Sequence, residues 1–246
     1  MPVGCMTPLS GYVLLELPNT LEIVLVTMAD KLSADVFKDE DFECAISELD
    51  KPNLEGWEFF VESHGVTIYR LFNESSGLYQ YKVFGELDVE PDICAQVYMD
   101  LDYRKKWDSY VKELEEKQCE GKHLIYWEVS YPFPLWNRDY IYGRELKIVE
   151  KNGLKIWAVM AKSVNTPSVP ERSGIVRVDD YLQSAVLCSN GKQGTKAFMH
   201  YYDNPKGNIP TWLINWAAKT GVPQFLTMMQ AACRDYTKYL ESKKGS

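Results

Sequence analysis

The run PDICAQVYMDLDYRKKWD, residues 91–108, carries an arginine and an aspartate where a core-facing helix should carry leucines. Read as one helix, it puts Ile93, Val97, Leu101, Arg104 and Asp108 on a single face. Three apolar side chains and two opposite charges then look inward together. An isolated buried charge is costly, so such a pair persists where each ion satisfies the other or a ligand satisfies both. The expectation is an apolar interior with one polar end.

Strands are predicted on both sides of that run. Residues 57–63, 66–72 and 78–87 precede it, short and rich in aromatic and β-branched residues, and turn signals at Gly65 and Gly77 make them consecutive antiparallel strands. Strands at 124–131, 140–148, 154–163, 175–187 and 196–202 follow it. Asn152-Gly153 and Asn190-Gly191 mark hairpin turns, because Asn-Gly tolerates positive φ, and 166–174 is a longer loop with two prolines. An amphipathic helix at 35–49, with Phe37, Phe42, Ala45, Ile46 and Leu49 on its stripe, opens this α+β arrangement.

The chain closes on a helix from about 209 to 242, kinked at Gly221-Val222-Pro223. Beyond the kink, Phe225, Met228, Met229, Ala232, Tyr236 and Leu240 form one packing stripe. Before it, Trp212, Leu213, Ile214, Trp216, Ala217 and Ala218 leave only a narrow polar wedge at Asn215 and Lys219, an apolar surface wider than one core contact needs.

Charge and cysteines narrow the function classes. With 35 acidic against 27 basic side chains the net charge is −8, which repels a phosphate backbone and argues against nucleic acid as a partner. The cysteines at 5, 44, 94, 119, 188 and 233 form no C-x-x-C pair and no zinc spacing around the histidines, so they read as free thiols of a cytoplasmic protein without a metal. Residues 1–27 hold two apolar runs broken by Glu16, Pro18, Asn19 and Glu22, with no basic residue before Lys31, which suits neither a membrane span nor a signal peptide. They read as a poorly ordered extension ahead of one domain at 28–246, with Met28 as an alternative start.

Catalytic spacings are missing from the sequence. There is no G-x-S-x-G, H-E-x-x-H or G-x-G-x-x-G, and residues 191–196 fail the phosphate-loop spacing. His64, His123 and His200 lie in three separate elements without a carboxylate at motif distance, so each reads as a surface or packing histidine and the protein as no enzyme. Aromatic supply stands out instead: 7 Trp, 16 Tyr and 9 Phe, with Trp127 beside Ile125, Val129 and Tyr131 on one strand face and Tyr140 close behind. Two readings of these rings stay open, a plain core or a receptor for a cation. A quaternary ammonium donates no conventional hydrogen bond, and each π face offers it roughly 0.5–2 kcal/mol.

The run at 97–108, then YWEV at 126–129, YPFP at 131–134, NRDY at 137–140 and WLINWAAK at 212–219, resembles in order and spacing the START lipid-transfer family, in its phosphatidylcholine-carrying branch. The resemblance covers about 40–239. It implies a helix-grip fold, in which a curved antiparallel sheet wraps around a long C-terminal helix and encloses one phosphatidylcholine, with no cofactor and transient contact with membrane surfaces. It further implies that Arg104, supported by Asp108, meets the lipid phosphate, that Tyr98 and Gln183 touch the ligand, and that Trp127, Tyr140 and Tyr181 cage the choline.

Alternation along 175–187 puts Val176, Val178, Leu182 and Val186 on the face opposite Tyr181 and Gln183, so the apolar side would point inward unless a bulge intervenes. The inward direction of Tyr181 and Gln183 comes from the resemblance. A cavity that loads at a membrane needs a gate, and Trp212, Ile214 and Trp216 are the candidates, against the alternative that both tryptophans are static core. Other functions left open are carriage of ceramide, sterol or another phospholipid, and a module whose lipid occupancy governs partner binding.

Overall fold

The computed structural model describes residues 36–63, 65–207 and 209–244. The extension at 1–27 and His64 lie outside the described residues. Helix α1, Asp39–Asp50, opens the fold with three acidic residues in its first turn, where the helix dipole favours them. Its stripe of Phe42, Ala45, Ile46 and Leu49 is buried, and full burial of Phe42 and Leu49 is worth about 1.5–3 kcal/mol each. The strands are β1 Glu58–Ser63, β2 Val66–Asn73, β3 Leu78–Leu87, β4 Val111–Cys119, β5 Lys122–Val129, β6 Asn137–Lys151, β7 Leu154–Ser163, β8 Ile175–Val178, β9 Tyr181–Ser189 and β10 Thr195–Asp203. They form one sheet in the order β1-β2-β3-β10-β9-β7-β6-β5-β4, antiparallel at every step, with β8 parallel beside β6.

Two strand expectations need correction. VKELEEKQC, with its five charges, reads as no strand, yet it forms β4. As an edge strand it buries only Leu114 and Cys119, and its charges blunt pairing with another chain. The single strand expected over 175–187 is two, because Asp179 and Asp180 interrupt it. Asp179 pairs with Lys206 at 2.7 Å, while the Asp180 carbonyl accepts from Asn204 N and its carboxylate from Tyr202 Oη.

Both faces of the central strands are covered. Outside, α1 packs on Ile156, Ala158 and Met160 of β7, Val186 and Cys188 of β9, and Phe198 of β10. Inside, Leu187 of β9 and Leu87 of β3 meet α2, Pro91–Met99, α3, Leu101–Trp107, and α5, Val222–Lys244. This double cover explains why β9 needs no bulge: Val186 packs under α1 while Tyr181 and Gln183 are buried on the other face, and Val178, expected opposite Tyr181, joins its cluster because the break at Asp179-Asp180 resets the alternation.

The helix expected through 91–108 breaks at Asp100. Its backbone is extended (φ −79°, ψ 97°), and its side chain accepts from Tyr103 N at 2.8 Å, so it ends α2 and caps α3. At the C-terminus, α4, Thr211–Trp216, runs into a π-helical turn, Ala217–Gly221, and then into α5. The expected kink is thus an extra residue, accommodated where Pro223 cannot donate to the ladder. Gly221 is needed there, because a Cβ would stand 3.0 Å from the Trp216 ring.

Candidate functional site

Arg104 and Asp108 sit on α3 against the inner face of the sheet. Arg104 Nε donates to Asp108 Oδ2 at 3.0 Å, with side-chain exposures of only 11% and 1%. Asp108 also accepts the Tyr110 N–H at 3.0 Å, and so is held from two sides. The guanidinium of Arg104 lies 4.6 Å from the ring centre of Trp127 on β5. From there the rings run on: Trp127 to Tyr140 at 5.0 Å, Tyr140 to Tyr181 at 5.4 Å with planes at 73°, and Tyr181 to Tyr142 at 5.5 Å. The Tyr181 hydroxyl donates to Gln183 Oε1 at 2.5 Å. Trp127, Tyr140, Tyr142, Tyr181 and Tyr201 belong to one cluster with Leu101, Leu114 and Ile125.

Tyr98, in the last turn of α2, lines an apolar cavity with Leu87, Val159, Leu187, Met199, Leu226 and Met229. It is half-buried by area because it lines that space, while protein surrounds it. Burial pushes its phenol up to about 12, against the pull of Arg104 and Arg144. The cavity holds about 70 Å³. That is well below the roughly 300–1,000 Å³ of pockets for drug-sized ligands, and two acyl chains need more. Its lining includes unbranched Met199 and Met229 and also Leu226, side chains that adapt to irregular shapes.

Every residue expected around the headgroup except Tyr98 joins one chain of contacts: Asp108, Arg104, Trp127, Tyr140, Tyr181, Gln183. Tyr98 stands near enough to Arg104 and Tyr181 to shift their electrostatics. The gate candidates divide. Trp212 is 44% exposed and Ile214 is also exposed, whereas Trp216 turns inward, edge-on to Tyr110 at 6.1 Å.

Further features of the site and its surroundings carried no sequence signal strong enough to find them. Arg144 donates to the carbonyls of Tyr98 and Met99 at 2.9 and 2.8 Å, completing the C-terminus of α2. Asp203 accepts the Tyr140 hydroxyl at 2.7 Å, and burial raises its carboxyl above the ordinary range, while the Tyr140 and Tyr201 hydroxyls and the Arg138 charge pull it back. Phe133 and Trp136, 94% and 62% exposed, project from the loop between β5 and β6. Arg138 ties that loop to the approach to α4, donating to the carbonyls of Trp136, Pro205 and Lys206. Finally, Trp127 Nε1 is buried and finds no hydrogen-bond partner among the described residues.

A curved sheet gripping a C-terminal helix, with a charge pair and rings at one end of the space between them, defines a lipid-binding class. The chain belongs to the START domain family, whose model matches residues 40–239. Within it, the chain is 55% identical to the phosphatidylcholine transfer protein of Rattus norvegicus, over 82% of this chain and 96% of that protein. It is 52% identical to the phosphatidylcholine transfer protein of Homo sapiens, over 85% and 99%. The crystal structure of human STARD10 superposes with a TM-score of 0.70 at 26% identity, covering 84% of each chain.

Proposed function

We propose that this protein carries one phosphatidylcholine between membranes in the cytoplasm, without a covalent step. The single observation that carries the reading is a buried arginine lying on the first of three adjoining aromatic rings. A phosphate and a quaternary ammonium three bonds beyond its ester oxygen need such neighbours. Arg104, backed by Asp108, binds the phosphate through the free part of its donor fork. Trp127, Tyr140 and Tyr181 receive the choline, Tyr98 and Gln183 bound the headgroup, and a lipid oxygen satisfies Trp127 Nε1, whose isolation otherwise costs about 1–3 kcal/mol. Relatives 52–55% identical over nearly their whole length are named for this lipid, which favours it over ceramide or sterol.

The energetics suit a carrier. Moving roughly 30 methylenes from bilayer to water costs about 0.8 kcal/mol each, more than 20 kcal/mol in all, so unassisted exchange is negligible. A dry apolar interior nearly cancels that term. Loading moves the amino-terminal half of the last helix, α4, with nearby loops, and the π-helical turn is the hinge. Trp212 and Ile214 then face the membrane, joined by Phe133 and Trp136, as interfacial aromatic and aliphatic side chains do. No described helix is long and apolar enough to cross a membrane, so contact is at the surface for these segments.

Native mass spectrometry of protein incubated with mixed vesicles tests the reading. A single bound phosphatidylcholine, chosen over phosphatidylethanolamine, is expected. Equal uptake of ceramide or sterol, or no lipid adduct, would refute it.

A further inference from the structure

We propose that Asp203 sets the charge selectivity of the aromatic cage, making it a receptor for a cation rather than for any bulky apolar head. The inference rests on the phosphatidylcholine reading above. Asp203 ends β10 directly opposite Tyr181 of β9, on the strand face that also carries Met199 and Tyr201. Its Oδ2 accepts the hydroxyl of Tyr140 at 2.7 Å, and Tyr201, 5.9 Å from Tyr181 between ring centres, lies two residues away on the same strand face. One carboxylate therefore holds one ring and adjoins two others.

Its neighbours compensate the charge only in part. The two fully buried aspartates each have an arginine, Asp108 with Arg104 at 3.0 Å and Asp139 with Arg177 at 2.8 Å, whereas half-buried Asp203 has no such ion pair. Among the described residues no cation lies within ion-pair distance of Asp203. Arg138, the nearest basic group acting on it, directs its fork to three backbone carbonyls. An enclosed carboxylate without a cation is unfavourable, and an arriving ammonium removes that cost. The bond from Tyr140 acts in the same direction, since a charge-assisted hydrogen bond from a ring hydroxyl enriches the π face that attracts the cation. An ammonium seated over Tyr140 would lie roughly 7 Å from the carboxylate, and at an effective permittivity near 20 that interaction amounts to a preference of about ten- to fiftyfold.

The test compares phosphatidylcholine with its uncharged carbon isostere, phosphatidyl-3,3-dimethylbutanol, offered in equal amounts in the same vesicles. The ratio of the two bound lipids, read by native mass spectrometry, cancels any general loss of loading. The wild-type ratio is expected to favour choline strongly, and Asp203→Asn, which keeps the size and an acceptor, to lower it about tenfold. A folded Asp203→Asn protein with a ratio within about twofold of wild type would overturn the inference alone. If that variant does not fold, Tyr140→Phe decides: it keeps the ring and removes the bond to Asp203, so an unchanged ratio overturns the inference and a severalfold drop supports it. A wild-type protein that binds choline and isostere equally also overturns it. Wild type that takes up neither lipid refutes the carrier reading, and the inference falls with it.

Discussion

Arg104→Met removes the guanidinium while keeping most of the aliphatic stem beside Trp127, so its effects are those of the charge. Asp108, 1% exposed, is left with the Tyr110 N–H as its described partner. Removing one partner of a buried pair costs about 3–5 kcal/mol, and the residual 11% exposure of Arg104 argues for the lower end. For a domain of this size about 3 kcal/mol lowers the Tm by roughly 6–12 °C. The missing charge-assisted bonds to phosphate weaken lipid binding by about 1.5–3 kcal/mol, or roughly ten- to hundredfold. Adding Asp108→Asn separates the two effects, because asparagine keeps an acceptor for Tyr110 N and discards the orphaned charge. The double variant should recover at least half of the lost Tm in differential scanning fluorimetry, yet transfer fluorescent phosphatidylcholine between vesicles no faster than the single variant. A single variant with wild-type Tm, or a double variant with wild-type transfer, would show that the pair has neither the structural nor the ligand role assigned to it.

Three more outcomes are expected. Trp127→Leu removes a π face but keeps bulk, and should cut the preference for choline over ethanolamine lipids about three- to tenfold in competitive loading; equal losses for both would contradict the cage. Trp212→Glu should weaken vesicle sedimentation at least severalfold without changing the far-ultraviolet spectrum, and unchanged sedimentation would remove α4 from the docking face. His200, edge-on to Trp57 and bonded to Gln80, is held below its ordinary value by burial and then by Lys82. The unfolded imidazole, titrating near 6.5, binds more protons in the window beneath that value, so stability is complete above pH about 6.5 and is lost as pH falls toward the folded-state value. Tm measured against pH should therefore decline less steeply between pH 6.5 and 5 for His200→Gln, and identical slopes would rule out this histidine as the source.

Legibility in the sequence followed the strength of local pattern. The strands at 78–87 and 154–163 match β3 and β7 end for end, because aromatic and β-branched residues end at Gly or Asn-Gly turns. Strand β4 escaped notice because an edge strand with one solvated face can be built from glutamate and lysine. The split between β8 and β9 depended on Asp179 and Asp180 finding partners at the end of β10 and on the segment after it, a relation far apart in sequence. Arg104 announced itself by interrupting an apolar stripe. Arg144 and Asp203 did not, since on strands their partners are a helix end and the ring of Tyr140, distant in the chain, and nothing beside them in the sequence is out of place.

The π-helical turn at Ala217–Gly221 fixes a phase as well as a bend. Each α-helical residue advances by roughly 100°, and the wider turn absorbs one residue, so winding the same residues as regular α-helix would rotate everything upstream by about that angle. Trp212 and Ile214 would swing away from the outer surface, and buried Leu213 would be carried toward it. The direction in which the terminal rod presents its greasy side chains thus depends on how that turn is wound, and a substitution that tightened it to regular helix would silence docking while leaving every docking side chain in the sequence.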